Sequence, residues 1–266
     1  MKRSLLAALA ITAVALVMPT MVSAQAAAAT VTLMHGVPGA TVDVVVDGAV
    51  VIPGFQPGTM QDISSFAGQT LRNVEVRVAG TDDVVIGPLA ELAVPSSGNW
   101  TVLAHLSADG TPTITPFEND TSTVPAGQGR LTVRHTAAAP AVDIVLAEGS
   151  RPFTNLSNPN EASATLPAGA IASAQIAPAG AAPIAPIPTV ELRNGTNLIV
   201  SAVGSLEGGS FTFYTQTIEG LGGGALVNTG DSLPGASSNV AVVLAAAAGV
   251  LALAGAGVLT VRRSRG

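Results

Sequence analysis

The chain has 266 residues, no cysteine, 11% charged residues and 3% aromatics, against 48% hydrophobic residues. The missing cysteines exclude disulfides and thiol chemistry, so a fold must hold by packing and strand pairing alone. Seventeen acidic residues face eleven basic ones, five of which sit at the two ends, and this excludes a basic groove for nucleic acid.

Residues 1–24 read as a secretory signal. Lys2-Arg3 is the positive start, Leu5–Val17 the apolar run, and Pro19 breaks it. Val22-Ser23-Ala24 puts small residues where a signal peptidase reads, which predicts cleavage before Gln25. A short alanine-rich linker follows.

Residues 31–118 read as a first module rich in Val, Thr, Gly and Pro, a composition that favours short strands and turns. In Val31–His35 the period of two puts Val31, Leu33 and His35 inward and Thr32 and Met34 outward. Val42, Val44 and Val46 point one way, with Asp43, Val45 and Asp47 the other, and Asp47-Gly48 predicts a hairpin into Ala49–Ile52. Val74–Val78 reads as a strand with valines inward and Glu75 and Arg77 outward. Trp100, Val102, Ala104 and Leu106 share one face of the next clear strand, Asp109-Gly110 turns the chain, and Thr113–Phe117 returns it.

Residues 119–129 read as a polar linker that leaves room for modest movement between modules. A second module, residues 130–218, repeats the first at an offset of 100. Leu131-Thr-Val-Arg-His135 answers Val31–His35, and Val142-Asp-Ile-Val-Leu146 answers Val42–Val46; Thr132 and Arg134 take the outward positions. The match continues at Val76–Gly80 with Ile176–Gly180. A fixed offset of domain length argues for duplicated modules with separate cores, not a solenoid of short repeats. Pro178–Pro188 is an edge or a loop, because proline cannot donate to a ladder. Ser210–Ile218 is the closing strand.

The string His35-Gly-Val-Pro38-Gly-Ala-Thr-Val42-Asp43-Val44 with Asp47-Gly48 resembles the opening of the bacterial domain of unknown function (DUF) 4397 family. The second copy is similar: His135-Thr-Ala-Ala-Ala-Pro140-Ala-Val142-Asp143-Ile144, led in by Pro125–Leu131. The resemblance covers residues 30–218 and departs from the family at Gly36-Val37 and Thr136-Ala137-Ala138, where its turn is more polar. It implies a fold and a cell-surface setting rather than an activity.

Residues 219–239 read as a flexible stalk. Val240–Val261, 22 residues without a charge, is long enough as a helix to span about 33 Å, a bilayer core. Arg262-Arg263-Ser264-Arg265 marks residues 262–266 as a cytoplasmic tail, so the modules lie outside. Upstream, Leu233-Pro234-Gly235-Ala236-Ser237 resembles a sortase sorting signal, with Ala236 where the usual Thr stands and Ser237 where Gly stands. Two outcomes stay open, a retained membrane anchor and covalent attachment to the cell wall. The change at the cleavage position weighs toward the anchor.

The candidate functional residues are few. His35 and His135 sit at strand ends on the apolar face, where a neutral imidazole bonded to backbone is the expected state, and Asp43 and Asp143 are placed to hold a turn by accepting N–H bonds. No histidine pair at ligand spacing or calcium loop marks a metal site, and no nucleophile elbow, P-loop or dinucleotide fingerprint marks catalysis. No cofactor is expected. The sequence thus predicts an all-β chain of two tandem antiparallel β-sandwich modules of immunoglobulin or transthyretin type, an N-terminal signal and one C-terminal transmembrane helix. The expected role is a non-catalytic surface protein of a Gram-positive bacterium. Its partners would be the membrane, through the helix, and the cell wall or a host or extracellular surface. The alternative is an extracytoplasmic protein that binds a carbohydrate or a peptide.

Overall fold

The computed structural model describes residues 29–183 and 185–222, and the backbone of residues 242–244. The signal (1–24), the Leu233–Ser237 string, the tail (262–266) and most of the 240–261 span lie outside the described residues.

The first half forms eight strands: β1 (Thr30–His35), β2 (Val42–Val46), β3 (Ala49–Phe55), β4 (Met60–Asp62), β5 (Thr70–Val78), β6 (Val84–Ala93), β7 (Asn99–Leu106) and β8 (Pro112–Glu118). Asp47 (φ 47°) and Gly48 (φ 79°) make the tight turn between β2 and β3, where only residues tolerant of positive φ fit. The second half forms β9 (Gln128–His135), β10 (Val142–Val145), β11 (Phe153–Leu156), β12 (Glu161–Pro167), β13 (Gly169–Ile171), β14 (Gln175–Pro178), β15 (Ala185–Pro186), β16 (Val190–Leu192), β17 (Asn197–Val203) and β18 (Thr212–Ile218).

Each half is a sandwich of two sheets. In the first, an outer sheet β3-β2-β5-β6 faces an inner sheet β4-β1-β7-β8. Val42, Val44, Phe55, Val76 and Ile86 from the outer sheet meet Val31, Leu33, Val102 and Ala104 from the inner one. In the second, an outer sheet β11-β10-β14-β15 faces an inner sheet containing β12-β9-β17-β18, with β13 and β16 as a separate ribbon. Phe153, Leu156 and Ile176 meet Leu131, Val133, Leu198, Val200 and Phe213. A cavity of about 70 Å³ lies in the first sandwich, and among the described residues His35 is the only polar side chain in its wall.

The sheets are not purely antiparallel. β1 pairs in parallel with β7, from Thr30 opposite Asn99 to His35 opposite Ala104. β9 pairs in parallel with β17, from Arg130 opposite Asn197 to His135 opposite Ala202. The first strand of each half is therefore central in its inner sheet. It needs one apolar face for its own sandwich core and something to cover the other.

That cover is the other half. The side chains expected to point outward are buried: Thr32 is 3% exposed, Thr132 3%, and Met34 and Arg134 are fully buried. The two inner sheets pack back to back and share a third core of Met34, Leu103, Phe117, Val203 and Tyr214. Polar bonds cross the same face. The Thr101 hydroxyl donates to Gln216 at 2.7 Å, Asn158 donates to the carbonyl of Leu106 at 2.8 Å, and Arg134 donates to Asn119 at 2.6 Å. The Arg134 guanidinium also bonds Glu161 at 2.7 Å and lies 4.5 Å above the Phe117 ring. At Gly36 the halves approach so closely that a Cβ would meet Ala104 O at 2.8 Å and Val203 Cγ1 at 3.1 Å. Two independent modules on a loose link are thus replaced by a four-layer block.

The linker is part of that block. Asn119 and Val124 are buried, Arg130 pairs with Asp120 at 3.0 Å, and Val124 N–H donates to Leu221 O. The start of the expected stalk is held too, since Leu221 is buried and its N–H donates to Gly195 O. Among the described residues no helix is long and apolar enough to cross a membrane. Within the span read as a transmembrane helix, Val242–Leu244 instead forms a strand, β19, antiparallel to β18. Extended backbone suits the Val-Val-Leu run, and the ladder of β18 supplies its partners.

Arg134 generates a prediction. Among the described residues its Nη1 has no partner, so the side chain bears a desolvation cost that Glu161 and Asn119 only partly offset. Glu161→Gln, which leaves the buried charge unpaired, should lower unfolding free energy by about 2 kcal/mol or more. Arg134→Met, which installs the residue found at the equivalent position 34, should cost less. Urea denaturation of both variants checks the order; the reverse order contradicts the account of the interface.

Candidate functional site

The four repeated motif residues form two equivalent clasps, one per sandwich. β1 ends at His35 because Gly36–Ala40 turns the chain toward β2. The imidazole Nε2 donates to the carbonyl of Ala40 at 2.8 Å, and Nδ1 accepts the N–H of Val37 at 3.3 Å. A carbonyl only accepts, so these bonds fix the neutral tautomer with the proton on Nε2. The ring also packs on Phe55 at 5.5 Å between centroids. His135 repeats the main bond, Nε2 donating to Pro140 O at 2.9 Å, while its buried Nδ1 has no partner.

The carboxylates hold neighbouring strands together. Asp43 accepts the N–H of Gly54 at 2.7 Å and that of Gly80 at 3.0 Å. Asp143 accepts from Asn155 at 2.7 Å and from Gly180 at 3.0 Å, and adds an ion pair with Arg151 at 2.7 Å. Each aspartate thus ties the second strand of its half to the chain segments on either side. The bonds from Gly80 and Gly54 hold the Asp43 carboxyl below the usual carboxylate value. For Asp143 the N–H groups of Asn155 and Gly180, then Arg151, act the same way. The Arg151 contact has no counterpart in the first half, where Val51 stands at the equivalent position.

The third histidine lies between the halves. His105 is fully buried, its Nδ1 donates to Leu106 O at 2.8 Å, and its Nε2 accepts from the Thr115 hydroxyl at 2.8 Å. Burial pulls all three imidazoles below the ordinary value, against the smaller opposing effect of their carbonyl partners. Among the described residues no group of three or more His, Cys, Asp or Glu side chains is placed to hold a metal ion. Trp100 is half-buried beside the first core, with its indole N–H donating to Ser97 O at 2.8 Å.

The structure does not gather the four motif residues into one site; each pair works in its own sandwich. Sequence reasoning missed the residues that do converge: Arg134, Asn119, Thr101 and Gln216, from four separate segments. The only signal was a mismatch at one repeat position, where Arg134 answers the apolar Met34. Residues 29–145 match the family described as Domain of unknown function (DUF4397), a match that takes in the whole first sandwich and reaches β10. No curated protein matches the chain.

The histidines set a pH dependence. Their folded values lie below the ordinary 6.5, so the unfolded chain takes up protons first as pH falls. Their stabilisation is complete above that value and is lost as pH drops through it. The lowered aspartates Asp43 and Asp143 act in the same direction only below the ordinary 3.8, so the histidines govern the range from neutral to mildly acidic. The urea midpoint should fall steadily from about pH 7 to about pH 5. A midpoint that is flat or rises over that range contradicts buried neutral imidazoles.

Proposed function

We propose that this chain is an exported, non-catalytic surface protein of a Gram-positive bacterium. In this reading the second sandwich is a further copy of the family domain matched in the first. Residues 1–24 direct export, and residues 240–261 anchor the chain with both sandwiches outside. The observation that carries the reading is that His35, Asp43, His135 and Asp143 are all engaged with main-chain partners within their own sandwiches. What the folded body then offers a partner is its outer surface, suited to structural or adhesive contact with the cell wall or another extracellular surface. The exterior is acidic, with six arginines and no lysine between the two ends. That favours solubility outside the cell over binding to polyanions.

A carbohydrate or peptide site would need polar groups converging in a concavity. The cavity of the first sandwich has an apolar wall apart from His35, whose ring nitrogens already have partners. Surface display is therefore the stronger reading. Retention in the membrane is placed ahead of sortase processing because Ala236 stands at the acylated position of the sorting string.

Protease added to intact cells after wall removal should degrade the sandwiches and leave a C-terminal fragment in the membrane. Full protection contradicts export. Release of the whole folded body by a wall-degrading enzyme, with the 240–261 span missing by mass, would instead establish wall attachment.

A further inference from the structure

Most edge strands in this fold carry a device against further pairing. β3 holds Pro53, β6 Pro88, β8 Pro112 and Pro116, and β12 Glu161 and Pro167. β4 and β11 are only three and four residues long, and the two-residue β15 ends in Pro186. Proline, charge and shortness are the means by which native sheets keep an edge from recruiting a strand.

β18 has none of them. Thr212-Phe-Tyr-Thr-Gln-Thr-Ile218 is seven residues long, free of proline and charge, and rich in β-branched and aromatic side chains. Its faces are covered, Phe213 by the second core and Tyr214 by the shared one. The side turned away from β17 is where β19 lies, with Thr215 opposite Val242, Tyr214 opposite Val243 and Phe213 opposite Leu244. No other described strand pairs there.

We propose that β18 is a strand-addition site whose occupant is the chain's own C-terminal apolar segment. Val242–Leu244 then has two mutually exclusive seats, the β18 edge and the membrane. In water the ladder supplies backbone partners to both strands. In a bilayer the same segment must satisfy its backbone internally as a helix. Insertion therefore strips β19 from β18, and the edge is covered only while the chain is off the membrane. The second seat rests on the anchoring reading above; the first stands on the pairing alone.

The chain has no cysteine, so an engineered pair gives an unambiguous readout. Full-length chain carrying Thr215→Cys and Val242→Cys is made by cell-free synthesis, with and without phosphatidylglycerol–phosphatidylcholine vesicles, then oxidised. Directly opposed strand residues sit within the Cα separation a disulfide requires. Without vesicles, most of the chain should form the intramolecular bond, read as loss of two hydrogens by mass; a Thr217→Cys, Val242→Cys control, two residues out of register, should not. With vesicles the bond should be lost and the chain should float with the lipid. No bond without vesicles, bonding in the control alone, or dimers linked through position 215 overturns the proposal and leaves the anchoring reading untouched. A bond that persists with vesicles, in chain that stays off the lipid, retains the β18 seat and overturns anchoring instead.

Discussion

The rest of this structure depends on the back-to-back packing of the two inner sheets. A β-sheet has two faces, and in each half the strands β1–β7 or β9–β17 are central, so neither face can be left to solvent cheaply. One face closes its own sandwich. The other meets its counterpart, with Met34, Leu103 and Phe117 against Val203 and Tyr214. Burial drives this contact, but its polar members decide its register. The Thr101–Gln216 bond, the Arg134–Asn119 bond and the bond from Asn158 to Leu106 O can form in one arrangement only. The linker then follows the seam, so that Asp120 and Val124 are pinned to the second half rather than spanning a gap.

The two halves are equivalent in their clasps and different at their seam. His35 and His135 bond carbonyls five residues on, and Asp43 and Asp143 each accept an N–H from the glycine 37 residues on, Gly80 and Gly180. These bonds are local, so each half can keep them unchanged. The packed face is shared, and there the copies diverge. Met34 is answered by Arg134, and Gly36, which has no room for a Cβ, is answered by Thr136, whose hydroxyl donates to Ala202 O at 2.8 Å.

Much of this was legible in the sequence. Period-two alternation located the inward valines of β2 and β5, the Asp47-Gly48 turn and the Val102–Ala104 face. The offset of 100 located the second set of clasps. What alternation could not say is what covers the outward positions. Thr32, Thr132 and Arg134 read as a solvent face because short polar residues and a charge are ordinary there, and Met34 followed by phase; only tertiary contact shows them buried. Parallel pairing of β1 with β7 is likewise hidden, since period two is the same in either direction. The C-terminal span shows the opposite limit. Its hydropathy fits a helix, whereas Val242–Leu244 pairs as a strand with β18, a partner that hydropathy does not see.

The central claim is that the two sandwiches form one cooperative unit through the Arg134 seam. Native-state hydrogen exchange in low urea tests it most directly, because it resolves the opening of each strand. The slowest amides of β1 and β7 and those of β9 and β17 should share one opening free energy and one urea dependence, that of global unfolding. A smaller opening that exposes one inner sheet while the other stays protected would contradict the account.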